Sequence, residues 1–250
     1  MKNEIMHHLF THHDLDSGAL TMLGPVVHQF NEPGNYRGDV FWNDQHAGRF
    51  TLCVQEACPA TQVDIDLSKL PADADCGCDG SAGSAFVVRL RGYAVFHVSS
   101  ALGGYAVTIS STGEKPVRVF DSRELAPGDI FAASMLRPGR YSLTNTITKA
   151  KGEIVVAYPK TGGRPSGELD PITIECGEKE FKPARIVLQT AQGQVYHIKA
   201  RARLVIELVE ADDGPQAGTL AKYATFGAPP KESPPTATPR PRARRKDRPA

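Results

Sequence analysis

An all-β protein of two sandwich-type domains with a disordered C-terminal tail is the fold class this sequence predicts, and three observations predict it. The first is a pattern that occurs twice. Phe30-Asn-Glu-Pro33-Gly34-Asn-Tyr36 leads through Gly48 into Phe50-Thr-Leu52-Cys-Val54, and Met135-Leu-Arg-Pro138-Gly139-Arg-Tyr141 leads through Gly152 into Ile154-Val-Val-Ala-Tyr158. Each copy reads as a strand, a polar loop with a glycine and a second strand, so a β-hairpin unit is duplicated. The second observation is punctuation: 23 glycines and 19 prolines break the chain into short alternating segments, and runs with a 3.6-residue period are scarce. The third is a change of composition from Gly227, where Pro, Ala, Thr, Ser and Arg take over without apolar periodicity.

In chain order, residues 1–16 read as a polar, histidine-rich leader. Strands follow at Ala19–Leu23, Val26–Phe30, Asn35–Trp42, Arg49–Val54 and Gln62–Leu67. In the last of these Val63, Ile65 and Leu67 alternate with Gln62, Asp64 and Asp66, which leaves one face buried and one solvated. This first β unit spans 17–70. Residues 71–84 carry Asp73, Asp75, Gly77, Gly80 and Gly83, too polar to pack, and read as a linker loop. A second stretch of sandwich, 85–226, has strands at Ala85–Val98, Tyr105–Ser110, Val117–Phe120, Ile130–Met135, Arg140–Thr146, Glu153–Tyr158, Ile172–Cys176, Phe181–Gln189 and Val195–Val209. Leu125-Ala-Pro-Gly-Asp129 is a turn, with Pro127 and Gly128 suited to its two central positions. The tail is 227–250.

The net charge of +1 conceals an asymmetry. From Lys231 onward seven basic residues face Glu232 and Asp247, so the tail carries +5 and the remainder about −4. No charged leader precedes an apolar stretch, and no segment approaches the ~20 apolar residues needed to span a bilayer. A soluble, cytoplasmic protein is the expectation; a chain processed after export would read the same.

Phe181-Lys-Pro183-Ala-Arg-Ile186-Val-Leu, with Gly193-Gln-Val-Tyr196 after it, resembles the opening strands of cupredoxin-like sandwiches. The two Pro-Gly-x-Tyr hairpins look like late strands of that fold, where a tyrosine corner precedes the metal loop; an immunoglobulin-like sandwich is the other expectation for the architecture. The resemblance implies a sandwich but no blue-copper centre. Such a centre needs His, Cys, a second His and usually Met in the closing loop, and none of these lies between Tyr141 and Gly152. In the first copy His46 precedes Cys53, which falls on the following strand, with no Met nearby.

Four groups of residues carry candidate chemistry. His7, His8, His12 and His13 would place His8 and His12 one turn apart on a helix, a spacing that binds Zn, Ni or Cu; on a flexible tail they are solvated imidazoles. Cys53, Cys58, Cys76 and Cys78 form two close pairs that would suit a tetrahedral thiolate site. In an oxidising compartment the alternative is a disulfide from Cys58 to Cys76 or Cys78. Cys53 is expected to point into a core, and Cys176 to be a small buried hydrophobe.

Parity along the strands places Arg89, Arg91 and His97 on one outward stripe, and His197, Lys199, Arg201 and Arg203 on another. Two such stripes, if they adjoin, would dock an anionic group, a nucleic acid or an acidic protein patch; a solubilising outer face is the plainer reading. Arg240, Arg242, Arg244, Arg245 and Lys246 in the tail would attract phosphates or a docking partner, without aromatics to stack on bases.

Asp121, Glu124 and Asp129 cluster about a turn, but nothing in the linear order pairs carboxylates across a cleft, and no nucleophile motif or phosphate-binding loop is present. The sequence therefore points to a non-catalytic binding or structural module that engages a protein partner, or a second copy of itself, through basic strand faces and a basic tail. A Cu-, Zn- or Ni-binding protein is the alternative.

Overall fold

The structure, a computed structural model, describes residues 14–70, 84–100, 103–157 and 169–212. Apart from one short 3-10 turn at Leu67–Lys69, its regular structure is all β. The strands are β1 (Asp14–Asp16), β2 (Val26–Gln29), β3 (Gly34–Trp42), β4 (Gln45–Gln55), β5 (Gln62–Asp66), β6 (Ser84–Arg89), β7 (Tyr93–His97), β8 (Tyr105–Ser111) and β9 (Arg118–Asp121). They continue with β10 (Ile130–Ser134), β11 (Gly139–Asn145), β12 (Lys151–Ala157), β13 (Ile172–Cys176), β14 (Phe181–Lys182), β15 (Arg185–Gln189), β16 (Gly193–Ile198) and β17 (Leu204–Ala211). Among the described residues no helix is long and apolar enough to cross a membrane.

Three sheets form: β6-β4-β3-β8-β9, β1-β17-β11-β12-β15, and a central sheet of seven strands, β14-β13-β16-β10-β2-β7-β5. The duplication seen in two hairpins extends to seven strands. In the first half β3 pairs antiparallel with β4 and β8, β4 runs parallel to β6, β5 parallel to β7, and β2 antiparallel to β7. In the second half β11, β12, β17, β15, β13, β16 and β10 repeat each of these relations in the same order. The halves join where β2 pairs antiparallel with β10, Val26 opposite Phe131 and Val27 opposite Ile130. The central sheet therefore has a pseudo-twofold axis at its middle.

Strand ends are exchanged across that axis. β1 precedes the first half in sequence yet pairs with β17 of the second, whereas β9 precedes the second half and pairs with β8 of the first. The same short code fixes both. Asp16 Oδ1 accepts from the Gly18 amide and Asp121 Oδ1 from the Arg123 amide, each at |i−j| of 2. The next residues, Ser17 and Ser122, are fully buried and accept from the amides of Leu204 and Val107 at 3.0 Å. Leu20 and Leu125, both fully buried, then make isolated bridges to Tyr105 and Ala202. A buried serine tolerated at each exchange point is a serine whose oxygen has a donor.

The core follows the strand period. Phe50, Leu52 and Val54 of β4, Val26 of β2, Phe96 of β7, and Ile154, Val156, Phe131 and Tyr196 in the second half are all at most 2% exposed. The two tyrosines of the Pro-Gly-x-Tyr pattern are buried corners. Tyr36 Oη donates to the Glu32 carbonyl at 2.9 Å and Tyr141 Oη to the Arg137 carbonyl at 2.7 Å. Gly139 has a reason to be glycine: its φ is +151°, and a Cβ there would meet the Glu210 carbonyl oxygen at 2.5 Å.

Several sequence expectations are revised. The leader of 1–16 gives up Asp14–Asp16 to β1. The expected strand at Ala19–Leu23 reduces to bridges at Ala19 and Leu20. The division at 71–84 does not separate two units, because Ser84 already belongs to β6 and β6 returns to pair with β4. Three long runs, 85–98, 181–189 and 195–209, are each broken in two. The first break places Arg91 at φ +63°, and its amide donates to the Phe30 carbonyl; in the second half Ala191, at φ +64°, donates to Met135 in the same way. The turn at 125–129 is as expected, with Gly128 at φ +101° and the Asp129 amide donating to the Ala126 carbonyl. All described residues lie in one compact unit.

Candidate functional site

The polar feature that breaks the internal symmetry lies beside the axis. Val26, His28 and Phe30 share one face of β2 by the strand period, so His28 is directed inward. Its Nδ1 lies 2.6 Å from Oδ1 of Asp129, with side-chain exposures of 14% and 3%. Oδ2 of Asp129 accepts from the Ala126 amide at 2.7 Å, so one carboxylate caps the 125–129 turn and ties it to the first half. The imidazole sits edge-on to Phe30 at 4.8 Å and against Phe120 at 4.7 Å. Asp129 also lines an open cleft of about 200 Å³ with Arg118, Phe120, Asp121, Glu124 and Arg201. At the symmetry-related place stand Gly24 and Ala133, beside a small gap of about 10 Å³ lined by Leu15, Leu23, Ser134, Met135, Tyr141 and Ile206.

A carboxylate on Nδ1 orients a histidine as a base would need, but among the described residues no hydroxyl or thiol hydrogen-bonds His28. Charged groups in the cleft are taken by neighbours: Arg118 by Asp121 at 2.9 Å, and Arg201 by Glu124. The arrangement can brace the two halves.

The expected basic stripes are distributed over different sheets. His97 and His197 do occupy equivalent positions, on β7 and β16 of the central sheet, opposite Asp66 and Glu175 in register. Two strands, β2 and β10, separate them. Arg203 is clamped by Asp16 through two hydrogen bonds of 2.7 and 3.0 Å, which raises its pKa and serves the exchange of β1. Lys199 is exposed and lines a shallow charged pocket of about 340 Å³ around the β13–β14 turn, with Glu175, Glu178 and Lys182 among its walls. Arg89 and Arg91 lie at the end of β6 and in the turn after it, exposed and without an ion pair among the described residues.

Among the cysteines, Cys53 and Cys58 are free and partly exposed. Cys53 does not enter the core: on β4 the inward residues are Leu52 and Val54, and Gln55 donates to its sulfur at 3.2 Å. Cys176 is the buried hydrophobe expected, and burial pushes its thiol up to about 12. His7, His8, His12, His13, Cys76, Cys78, Arg240, Arg242, Arg244, Arg245 and Lys246 lie outside the described residues. Among the described residues no group of three or more His, Cys, Asp or Glu is placed to hold a metal ion.

Two positions that stand out in the structure escaped the sequence reading. His28 was detectable as a histidine at an inward parity position between Val26 and Phe30. Trp42, 47% exposed at the β3–β4 turn, stands beside Tyr105 at 6.4 Å, with its indole N–H on the Gly103 carbonyl. No family model, no curated protein and no solved structure matches the chain.

Proposed function

We propose that the protein is a non-catalytic binding or structural module, built as two cupredoxin-like or immunoglobulin-like sandwich units fused about the axis of the central sheet. The observation that carries this reading is the kind of thing the duplication repeats. Strand pairings, buried serines, tyrosine corners and two sheet edges recur; among the described residues no constellation of reactive groups does. A fused pair of this kind is a rigid body offering equivalent edges on either side, which suits holding macromolecular partners better than turning over a small one. Basic groups supply attraction: Arg89 and Arg91 on the first half, Lys199 on the second, and the arginines of the tail.

Calorimetric titration of the full chain with poly-L-glutamate tests the reading. Binding that weakens with ionic strength and falls in an Arg89→Glu, Arg91→Glu variant is expected. A chain that binds no anionic polymer at low salt and remains monomeric would overturn it.

A further inference from the structure

Among the described residues β6 and β15 are edges without a further strand, and they correspond strand for strand. Each runs parallel to its inner neighbour, Leu52 opposite Phe86 in one half and Ile154 opposite Ile186 in the other. Backbone groups of a strand point alternately to its two sides. The Leu90 amide donates to Gln55 at the end of β4, whereas the Arg89 amide turns the other way to the Ala60 carbonyl at 2.7 Å. Odd-numbered residues of β6 therefore direct their backbone outward, which leaves Ala85 and Val87 without a backbone partner among the described residues and Arg89 capped. On β15 the Ala184 carbonyl faces β12, and the outward Gln189 amide is capped by the Gln192 side chain at 3.0 Å. Arg185 and Val187 are open there. Both edges thus offer two residues and end in a stop.

Other edges are protected. β5 carries Asp64 and Asp66, β14 has two residues and precedes Pro183, and β1 and β9 have three and four. β6 and β15 instead place an exposed valine at their middle, Val87 at 44% and Val187 at 60%. They differ in charge. Arg185 is held by Glu153 at 3.2 Å, while Arg89 and Arg91 beyond Val87 have no ion pair among the described residues.

Resting on the binding-module reading, we infer that β6 is a docking edge for an extended acidic peptide, added as a further strand on Ala85 and Val87. An apolar side chain of the peptide would lie against Val87, and its carboxylates would meet Arg89 and Arg91. Main-chain hydrogen bonds supply affinity and the arginines supply selection. The fold already uses strand addition on its opposite edges, where β9 joins β8 and β1 joins β17.

The probe is an acetylated, amidated heptapeptide of alternating aspartate and valine, added to the full chain and followed by amide exchange and calorimetry. Protection at Ala85 and Val87 is expected. Methylating the peptide nitrogens that face the edge should weaken binding by about tenfold. Val87→Pro, which removes an outward amide without touching the β4 pairing, should abolish it, and Val187→Pro should not. Binding that ignores backbone methylation but falls in the Arg89→Glu, Arg91→Glu variant would sink strand addition while leaving the module reading intact. Equal loss in Val187→Pro would refute the choice of β6. Protection of Val87 that grows with protein concentration and needs no peptide would assign the edge to a second copy and overturn the proposal. Silence toward both this peptide and poly-L-glutamate would remove the parent reading as well.

Discussion

The halves of this protein share a backbone and differ in what fills it. Around β7 the first half is aromatic: Phe96 stacks on Phe120 at 5.3 Å and lies 6.3 Å from Phe50, which meets Phe86 edge-on at 5.7 Å. The second half puts Tyr196 where the first has Phe96, Leu15 where it has Phe120, and Ile186 where it has Phe86. Tyr196 then brings a polar atom inside, donating to buried Gln194 at 2.5 Å, and the Gln194 amide nitrogen has no partner among the described residues. The hydrogen bonds common to both halves mark what the fold requires. Side chains private to one half mark where function or drift has been free to act.

Seven substitutions sharpen or break that comparison. Phe96→Ala should cost about 3–5 kcal/mol in urea unfolding, through the lost ring contacts and the cavity left behind. Because the halves share a sheet and exchange strands, a single transition should persist; two separated transitions would show that they are independent units.

Asp66→Asn is expected to cost about 1.5–3 kcal/mol near neutrality, since charge-assisted hydrogen bonds are lost. Burial pushes the Asp66 carboxyl up, but Ser99, Ser68 and Lys69 outweigh it and hold the group below the usual carboxylate range. A depressed folded-state pKa contributes stability that is complete above about pH 4 and lost as pH falls through the folded value. The gap between Asp66→Asn and the parent should therefore close on acidification. Glu175, its equivalent in register with His197, is exposed and has no such donors among the described residues. Glu175→Gln should change stability by less than about 0.5 kcal/mol.

Ser17→Ala and Ser122→Ala each remove the acceptor of a buried amide, and each should cost about 1–3 kcal/mol. Equal values would confirm that the two exchange points are energetically the same device; a marked inequality would identify one exchanged strand as dispensable. The smallest effect belongs to the tyrosine corners. Tyr36→Phe and Tyr141→Phe should each lose about 0.5–1.5 kcal/mol, read from the same denaturation curves.

Much of the strand placement was legible because apolar residues on β4 and β5 keep strict parity, and because Pro-Gly-x-Tyr marks the start of both long hairpins. Breaks inside the long runs left only faint marks, Gly92 in the first and sheer length in the last. Arg91 turns the first run with positive φ, a conformation that L-residues seldom adopt. Strand exchange was hidden for another reason. Asp16-Ser17 and Asp121-Ser122, each followed three residues later by leucine, are a visible echo, but which sheet receives each strand depends on partners 15 and 187 residues away. His28 could be assigned inward and Asp129 to a turn; their meeting across the β2–β10 seam is a long-range fact.

Exchange of β1 has a consequence for synthesis. Asp14–Asp16 leave the ribosome before every other described strand, yet the strand that receives them, Leu204–Ala211, is the last of the described strands to appear. Asp16 must therefore wait for Arg203, 187 residues later, before its clamp can close. During that interval the β17 site does not exist, whereas every strand of the β6-β4-β3-β8-β9 sheet has already been made. Vectorial production thus supplies every strand of one sheet before the partners of β1 exist, and the other sheet gains its edge by recovering the earliest-made of the described strands.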